Sequence, residues 1–144
     1  MKRVEASQVM LGTWGELWID DEYMAEVTKA RAEVKINYDD VKRVRNLMTG
    51  KKMTGLEGEG EVEMHKVSSF MLVKINQYLK EGKTPKFTMI IKLDDPDAIG
   101  GERVALYDVK FEKMTLADWE NAANGKESFS FTFEDWDVLD TATE

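Results

Sequence analysis

The stretch that decides the fold is Met48 to Lys66, which reads MTGKKMTGLEGEGEVEMHK. Val62 and Met64 alternate with glutamates there, and this period of two predicts a β-strand from Gly58 to Lys66. The residues before Gly58 are rich in glycine and methionine and cannot bury themselves. Long connections of this kind in compact domains are usually functional. We therefore predict a protruding arm at about residues 42–57 that docks on another protein.

The charges of this stretch separate into two groups. Basic and methionine side chains crowd the arm, and the candidate subunit-interface residues are Lys42, Arg43, Arg45, Met48, Lys51, Lys52 and Met53. Four glutamates follow at alternate positions, Glu57, Glu59, Glu61 and Glu63, so an extended chain places them on one face. Such a row is tolerable if it meets water or a complementary surface on a second copy. The alternative is a mobile hairpin with a solvated face.

Length and composition limit the classes of function. The 144 residues fit one domain, 1–144, and the net charge of −8 argues against binding nucleic acid through its phosphates. The absence of cysteine excludes disulfides, thiolate zinc sites and cysteine nucleophiles. Neither a signal-peptide core nor an apolar window of membrane-spanning length is present, so we expect no membrane anchor and synthesis in the host cytoplasm.

The remaining elements are mainly strands. A hairpin is predicted over Ser7 to Ile19 with a tight turn at Asp20-Asp21, followed by a strand over Tyr23 to Tyr38 with a bulge near Glu26. One helix is predicted over Ser68 to Lys80, capped by Ser68 or Ser69 and ended by Gly82.

Further strands are predicted over Pro85 to Leu93 and Arg103 to Met114, the latter with Ala105, Tyr107, Val109 and Phe111 inward. Thr115 to Glu120 continues that strand or forms one helical turn, and Asn124-Gly125 bends a second long hairpin. Phe129, Phe131 and Phe133 are inward, and the parity switches at Glu134-Asp135. This pattern predicts a mainly β fold, an antiparallel β-barrel or sandwich with one flanking α-helix and a long extended loop.

A catalytic site is not apparent in the sequence. His65 is the sole histidine, and with Glu61 and Glu63 it offers at most an incomplete metal site, which makes solvated strand residues the better interpretation. Neither a nucleophile elbow nor a phosphate-binding loop is present. We therefore predict that the protein is not an enzyme and has no catalytic residue, cofactor or metal.

Five pieces of the chain carry a resemblance to a known family. They are Gly15 to Asp20 (GELWID) followed by Met24-Ala25, Met53 to Gly55 with its trailing glycines, His65 to Ser69 (HKVSS), Arg103 to Val109 (RVALYDV) and Phe131 to Asp137 (FTFEDWD). They lie in order over nearly the full chain. Together they resemble the tail tube protein of contractile-tailed phages, specifically the PBSX-like family of prophages and phage-tail-like bacteriocins.

The resemblance implies a structural subunit that forms six-membered rings stacked into a hollow tube. The implied partners are other copies of the chain, a tail sheath protein, and baseplate and tail terminator proteins. The implied location is a virion tail or a secreted phage-tail-like particle, whose lumen conducts DNA without specific binding, or ions in a bacteriocin. From the residues, we add the hypothesis that Glu57, Glu59, Glu61 and Glu63 line the lumen or an inter-ring seam with the arm bases of a neighbour.

Two other classes remain open at this stage. A type VI secretion tube subunit would share the fold and the ring but carry effectors. A monomeric ligand-binding or hydrolytic β-barrel would instead need an enclosed pocket with convergent polar groups, for which His65 is the single candidate.

Overall fold

A computed structural model describes residues 5–67 and 69–142 of the chain. Two short 3₁₀ turns, Ala6–Gln8 and Gly12–Trp14, precede eight strands and one α-helix. The strands are β1 Gly15–Ile19, β2 Glu22–Tyr23, β3 Val27–Val41, β4 Gly50–His65, β5 Phe87–Leu93, β6 Glu102–Phe111, β7 Lys126–Phe133 and β8 Asp135–Asp140, and α1 spans Phe70–Lys80. The predicted mainly β fold with one flanking helix is confirmed.

All strand pairs are antiparallel and follow the order β2-β1-β5-β6-β7-β4-β3, while β8 pairs with β6. The sheet wraps around one apolar core, to which most strands and α1 contribute. Its fully buried residues include Leu17, Ile19, Val62, Met89, Leu106, Val109 and Phe131. A chain of aromatic contacts from Tyr78 through Phe87, Phe111 and Phe131 to Trp136 connects the helix to the far strand.

Two opposed irregularities bend the sheet. In β6, Leu106 and Val109 both face the core, because Asp108 adopts a positive φ of 53° and shifts the alternation by one residue. Opposite it, Glu134 interrupts the path from β7 to β8 and donates its backbone N–H to the Tyr107 carbonyl at 3.2 Å. The parity switch predicted at Glu134-Asp135 is confirmed. The inward position predicted for Tyr107 is wrong, since its hydroxyl donates to Asp137 at 2.9 Å on an exposed surface.

The helix begins at Phe70 and ends at Lys80, close to the prediction. Gly82 has φ 69°, and its N–H and that of Lys83 donate to the Leu79 and Tyr78 carbonyls, which is the expected glycine stop. Ser69 occupies the N-cap position, but its side chain makes no capping hydrogen bond. Ser68, the other predicted cap, lies outside the described residues. Within the described chain, no helix has the length and apolar character needed to cross a bilayer.

Several predicted boundaries are corrected. The first strand starts at Gly15 rather than Ser7, because the two 3₁₀ turns, Ala6–Gln8 and Gly12–Trp14, occupy the preceding segment. Between these turns, the Leu11 N–H donates to the Asp95 carboxylate at 3.0 Å. The Asp20-Asp21 turn is confirmed, with φ values of 47° and 67°. Residues 24–26 break the strand predicted from Tyr23, and a register shift follows between Val27 and Lys29, near the predicted bulge.

The predicted second hairpin, with its bend at Asn124-Gly125, is also corrected. Residues 112–125 form a loop without helix or strand, so Thr115 to Glu120 neither continues β6 nor forms a helical turn. The chain reverses earlier, where the Ala123 N–H donates to the Glu120 carbonyl and Ala122 has φ 62°. We call residues 112–125 the Trp119 loop.

Candidate assembly surface

The β3–β4 hairpin is the largest feature that extends beyond the core. Its pairing runs from Val27↔Met64 to Val41↔Gly50, with two register shifts, one between Val27 and Lys29 and one between Asn37 and Tyr38. β7 supports β4 from His65 to Gly58 and no further. Residues 35–57, which we call the distal hairpin, therefore form a two-stranded ribbon, and among residues 5–67 and 69–142 no third strand pairs with this part of β4.

This geometry corrects the predicted arm. β4 begins at Gly50 rather than Gly58, so half of residues 42–57 is strand, and the tip loop comprises residues 42–49 alone. Asp39 and Asp40 lie opposite Lys52 and Lys51, and the Lys51 ammonium contacts the Asp40 carboxylate. Opposite charges directly across an antiparallel pair stabilise it. That cross-strand complementarity was the signal in the sequence that could have revealed the longer strand.

Gly58 and Gly60 serve packing rather than flexibility. A Cβ on Gly60 would lie 2.2 Å from the Arg31 carbonyl oxygen and 2.4 Å from the Phe131 ring, and one on Gly58 would lie 2.6 Å from the Phe133 ring. The two glycines make room for the aromatic rings of β7. By contrast, a Cβ on Gly55 in the distal hairpin would have no neighbour closer than 3.7 Å.

The glutamate row lies on the outer face of the sheet, as predicted. Glu57, Glu59, Glu61 and Glu63 are opposite Lys35, Glu33, Arg31 and Lys29 of β3, and the last three also face Thr132, Ser130 and Ser128 of β7. Three bases of the same chain therefore partly compensate the row. The period-two alternation of Lys29, Arg31, Glu33 and Lys35 in the sequence places these side chains on one face, but the pairing of that face with the glutamates was not predicted.

Arg31 is the centre of this face. Its guanidinium contacts the Glu33 carboxylate and lies 3.9 Å from the Glu61 carboxylate. The hydrogen bond and the charge of Glu33 raise the pKa of Arg31 above its ordinary value. At the end of β4, His65 pairs with Lys126. Within residues 5–67 and 69–142, no group of three or more acidic or histidine side chains could hold a metal ion.

The inner face of the distal hairpin is apolar and uncovered. Ile36 lies opposite Leu56, and Tyr38 lies opposite Met53, and each is about half exposed, with 55% for Tyr38 and 53% for Met53. These pairs continue the face that packs into the core nearer the sheet. A cleft of about 410 Å³ opens beside Leu56 where β7 ends its pairing with β4, and Trp136 of β8 also lines it.

The tip loop combines exposed apolar and basic side chains. Val44 is 93% exposed, Leu47 is fully exposed and Met48 is mostly exposed. The Asn46 carboxamide accepts a hydrogen bond from the Met48 N–H at 2.9 Å, and Arg45 adopts φ 60°, so the loop is a defined turn. The candidate bases Lys42, Arg43 and Arg45 belong to this loop, whereas Lys51, Lys52 and Met53 lie on β4.

Strand edges are a further part of the surface. Within the described chain, β3 pairs with β4 alone, so its outer edge over 15 residues has no strand partner. Long unpaired edges invite pairing with another chain. The edge and the apolar inner face together make the distal hairpin the surface best suited to assembly.

Comparisons with known proteins point to one family. The family model described as "Phage tail tube protein" matches residues 2–140. The chain is 36% identical over 137 residues to the phage-like element PBSX protein XkdM of Bacillus subtilis (strain 168), covering 94% of this chain and 93% of that protein.

Solved structures are similar in fold at low identity. The cap of the anti-feeding prophage, described as a tube terminating cap, matches with a TM-score of 0.74 at 9% identity over 97% of each chain. A chain of the PVC sheath-tube complex, an extracellular contractile injection system in its extended state, matches with a TM-score of 0.72 at 7% identity, over 96% of this chain and 100% of that chain.

Proposed function

This chain belongs to the phage tail tube protein family, and from that premise we propose that it builds the inner tube of a contractile tail or tail-like particle as stacked six-membered rings. The family consists of structural tube proteins rather than enzymes. The observation that carries the proposal is the distal hairpin, a ribbon that leaves its inner apolar face and the β3 edge unpartnered. In a free monomer the exposed apolar face of the ribbon adds no stability, whereas an interface between neighbouring subunits of a ring would bury it.

Ring closure places the distal hairpin against the neighbouring copy. Its inner pairs, Ile36 with Leu56 and Tyr38 with Met53, pack on that copy and become buried, and the β3 edge finds a strand partner. Aromatic and methionine side chains are enriched in interface cores for this purpose. The predicted interface residues Met48, Lys51, Lys52 and Met53 all belong to this hairpin or its tip.

The outer face of the hairpin lines the lumen. Its two strands, β3 and β4, carry seven acidic side chains, at positions 33, 39, 40, 57, 59, 61 and 63, against five bases, at positions 29, 31, 35, 51 and 52, which leaves an excess of negative charge. Ser128, Ser130 and Thr132 extend the same face with small polar groups. An acidic, polar wall repels phosphate and lets DNA pass without binding. Because bases of the same chain already compensate the glutamate row, the lumen suits it better than an inter-ring seam.

The assembled particle supplies the other partners. A contractile sheath surrounds the tube, a baseplate nucleates it and a terminator closes it, within a virion tail or a released tail-like particle. The relatives support this setting, since the similar solved chains come from tube-terminating cap and sheath-tube complexes.

The test is negative-stain electron microscopy of the concentrated protein, with and without baseplate proteins, alongside its sedimentation mass. We expect hollow rings or tubes, and a Tyr38→Asp/Met53→Asp variant that stays a folded monomer. Leu79→Asp, which changes a half-exposed apolar residue on α1, is the matched control and should assemble normally. A wild-type protein that stays monomeric even with a baseplate would contradict the proposal.

A further inference from the structure

We propose that the tip loop of one copy docks on the Trp119 loop of the next copy, so that copies join head to tail along the hairpin axis. This inference rests on the proposed function, since it names the contact between successive rings of the tube. The tip loop contributes no residue to the core among the described residues, and in the Trp119 loop Met114 packs against the core while the segment around Trp119 lies outside it.

The two loops lie at opposite ends of the molecule. β4 runs from Gly50, beside the tip loop, to His65, which pairs with Lys126 directly after the Trp119 loop. The Lys66 N–H also donates to the Gly125 carbonyl at 2.8 Å. Sixteen residues of strand, at about 3.4 Å each, span roughly 50 Å. One copy therefore cannot bring its own two loops together, and contact between them requires a second copy.

Both loops expose large apolar side chains. Trp119 is 84% exposed and Leu116 is 72% exposed, and the tip loop presents Val44 and Leu47 almost entirely to solvent. Tryptophan is the residue most enriched among the side chains that dominate binding energy at interfaces. Met48 of the tip suits an aromatic surface, because its thioether sulfur makes favourable contacts with ring edges.

The charges of the two loops are complementary and unsatisfied. Asp118 and Glu120 flank Trp119, and neither takes part in an ion pair within the described chain. Lys42, Arg43 and Arg45 of the tip loop likewise form no ion pair with any described residue. An arginine can stack on the indole ring while it bonds a flanking carboxylate, which makes the pairing specific.

The glutamate row is a weaker acceptor for the tip loop. Glu57, Glu61 and Glu63 lie opposite Lys35, Arg31 and Lys29 of the same chain, and the Arg31 guanidinium lies 3.9 Å from the Glu61 carboxylate, so bases of the same chain already offset part of the row's charge. The row itself consists of carboxylates, whereas the tip loop presents three exposed apolar side chains, Val44, Leu47 and Met48.

A contact between two different surfaces joins copies in an open series rather than a closed pair. The first and last rings of such a stack each leave one loop type uncovered. Proteins that start and end the tube would therefore meet different surfaces, basic and apolar at one end and acidic with Trp119 at the other.

Crosslinking tests the contact directly, because the chain has no cysteine of its own. Thr49→Cys and Ala117→Cys place one thiol on each exposed loop without removing the anchors. A short bis-maleimide added to assembled tubes should link chains end to end and give a ladder of multimers on denaturing gels. Thr49→Cys with Leu79→Cys, whose second thiol lies on α1, is the matched control and should give no ladder.

A charge exchange provides the second test. Arg43→Glu/Arg45→Glu should abolish tubes and leave rings, and adding Asp118→Arg/Glu120→Arg to the same chain should restore them. Lys83→Glu, which reverses one exposed charge beyond the helix, should leave tubes unchanged.

The outcomes separate this inference from the proposed function. Normal tubes from the reversed variant, or an equal ladder from both cysteine pairs, would overturn the head-to-tail contact and leave the tube function standing. Wild-type protein that forms no rings or tubes with a baseplate would overturn both.

Discussion

The two halves of the β3–β4 hairpin have the same kind of backbone and opposite surroundings. In the proximal half, residues 27–34 and 58–65, β7 pairs with β4. Gly58 and Gly60 leave space there for the rings of Phe133 and Phe131 to pack closely. In the distal half, the ribbon has no third strand, and Ile36, Tyr38 and Met53 remain about half exposed. β3 and β4 therefore extend beyond the hydrophobic core. The proximal half stabilises the monomer, and the distal half is available to a partner.

The largest expected effect is the loss of the aromatic ring at the centre of the proximal half. Phe131→Ala should lower the free energy of unfolding by about 3–5 kcal/mol, because it removes a fully buried ring and leaves a cavity. Tyr38→Ala in the distal half should cost less than about 1 kcal/mol, since the side chain is largely solvated in the monomer. Urea unfolding of the purified monomers measures both, and equal losses would erase the distinction between the halves.

The glycines give the second comparison. Gly60→Ala should destabilise the monomer by about 1–3 kcal/mol or more, because the new Cβ meets a backbone oxygen and the Phe131 ring. Gly55→Ala is the matched control, and its open surroundings predict an effect within about 0.5 kcal/mol. Thermal unfolding of the two variants would contradict the account if Gly55→Ala proved the more harmful change.

The charge pairs at the end of the distal half should affect stability little and assembly strongly. Lys51→Glu/Lys52→Glu places like charges opposite Asp40 and Asp39, which costs up to about 1 kcal/mol for each pair. We expect a folded monomer by circular dichroism and impaired tube formation by electron microscopy. Unchanged polymerisation would remove these lysines from the proposed interface.

The smallest effect is a pH dependence at the junction between β7 and β8. Lys110 bonds the Glu134 carboxylate and lowers its pKa below the ordinary value of 4.5. A depressed pKa means that the pair stabilises the fold above the unfolded pKa, and that this contribution is lost as pH falls through the folded pKa. Because the pair is exposed, the effect should be slight.

The measurement is the difference in unfolding midpoint between wild type and Glu134→Gln across this range. The difference should be greatest near neutral pH and vanish in acid. A difference that grew as the pH fell would contradict the assignment.

The sequence was most informative where one periodic pattern determined a strand. Phe129, Phe131 and Phe133 were predicted inward and are buried, and the helix and its glycine stop lie where the spacing placed them. The distal hairpin was missed as a strand because its stability comes from pairing between distant residues, Asp39-Asp40 with Lys51-Lys52, rather than from local propensity. Asp108 was missed because a single residue at positive φ inverts the alternation without a glycine to mark it.

The sequence likewise predicted one part of the candidate site and missed another. The basic tip and the glutamate row follow from charge spacing alone, and the structure places both on the hairpin. The apolar inner face could be predicted only in part, since Met53 was a candidate interface residue, whereas Ile36 and Tyr38 lie in sequence within an ordinary predicted strand. Their exposure depends on where the pairing of β7 with β4 ends, which is a property of the whole sheet.

Hydrogen exchange along β4, measured in the monomer and in assembled particles, distinguishes the two parts of this strand. We expect strong protection of residues 58–65 in both states, and protection of residues 50–57 that rises sharply on assembly. Equal and strong protection of both segments in the monomer, unchanged by assembly, would contradict the claim that the distal hairpin is stabilised by contact with a second copy.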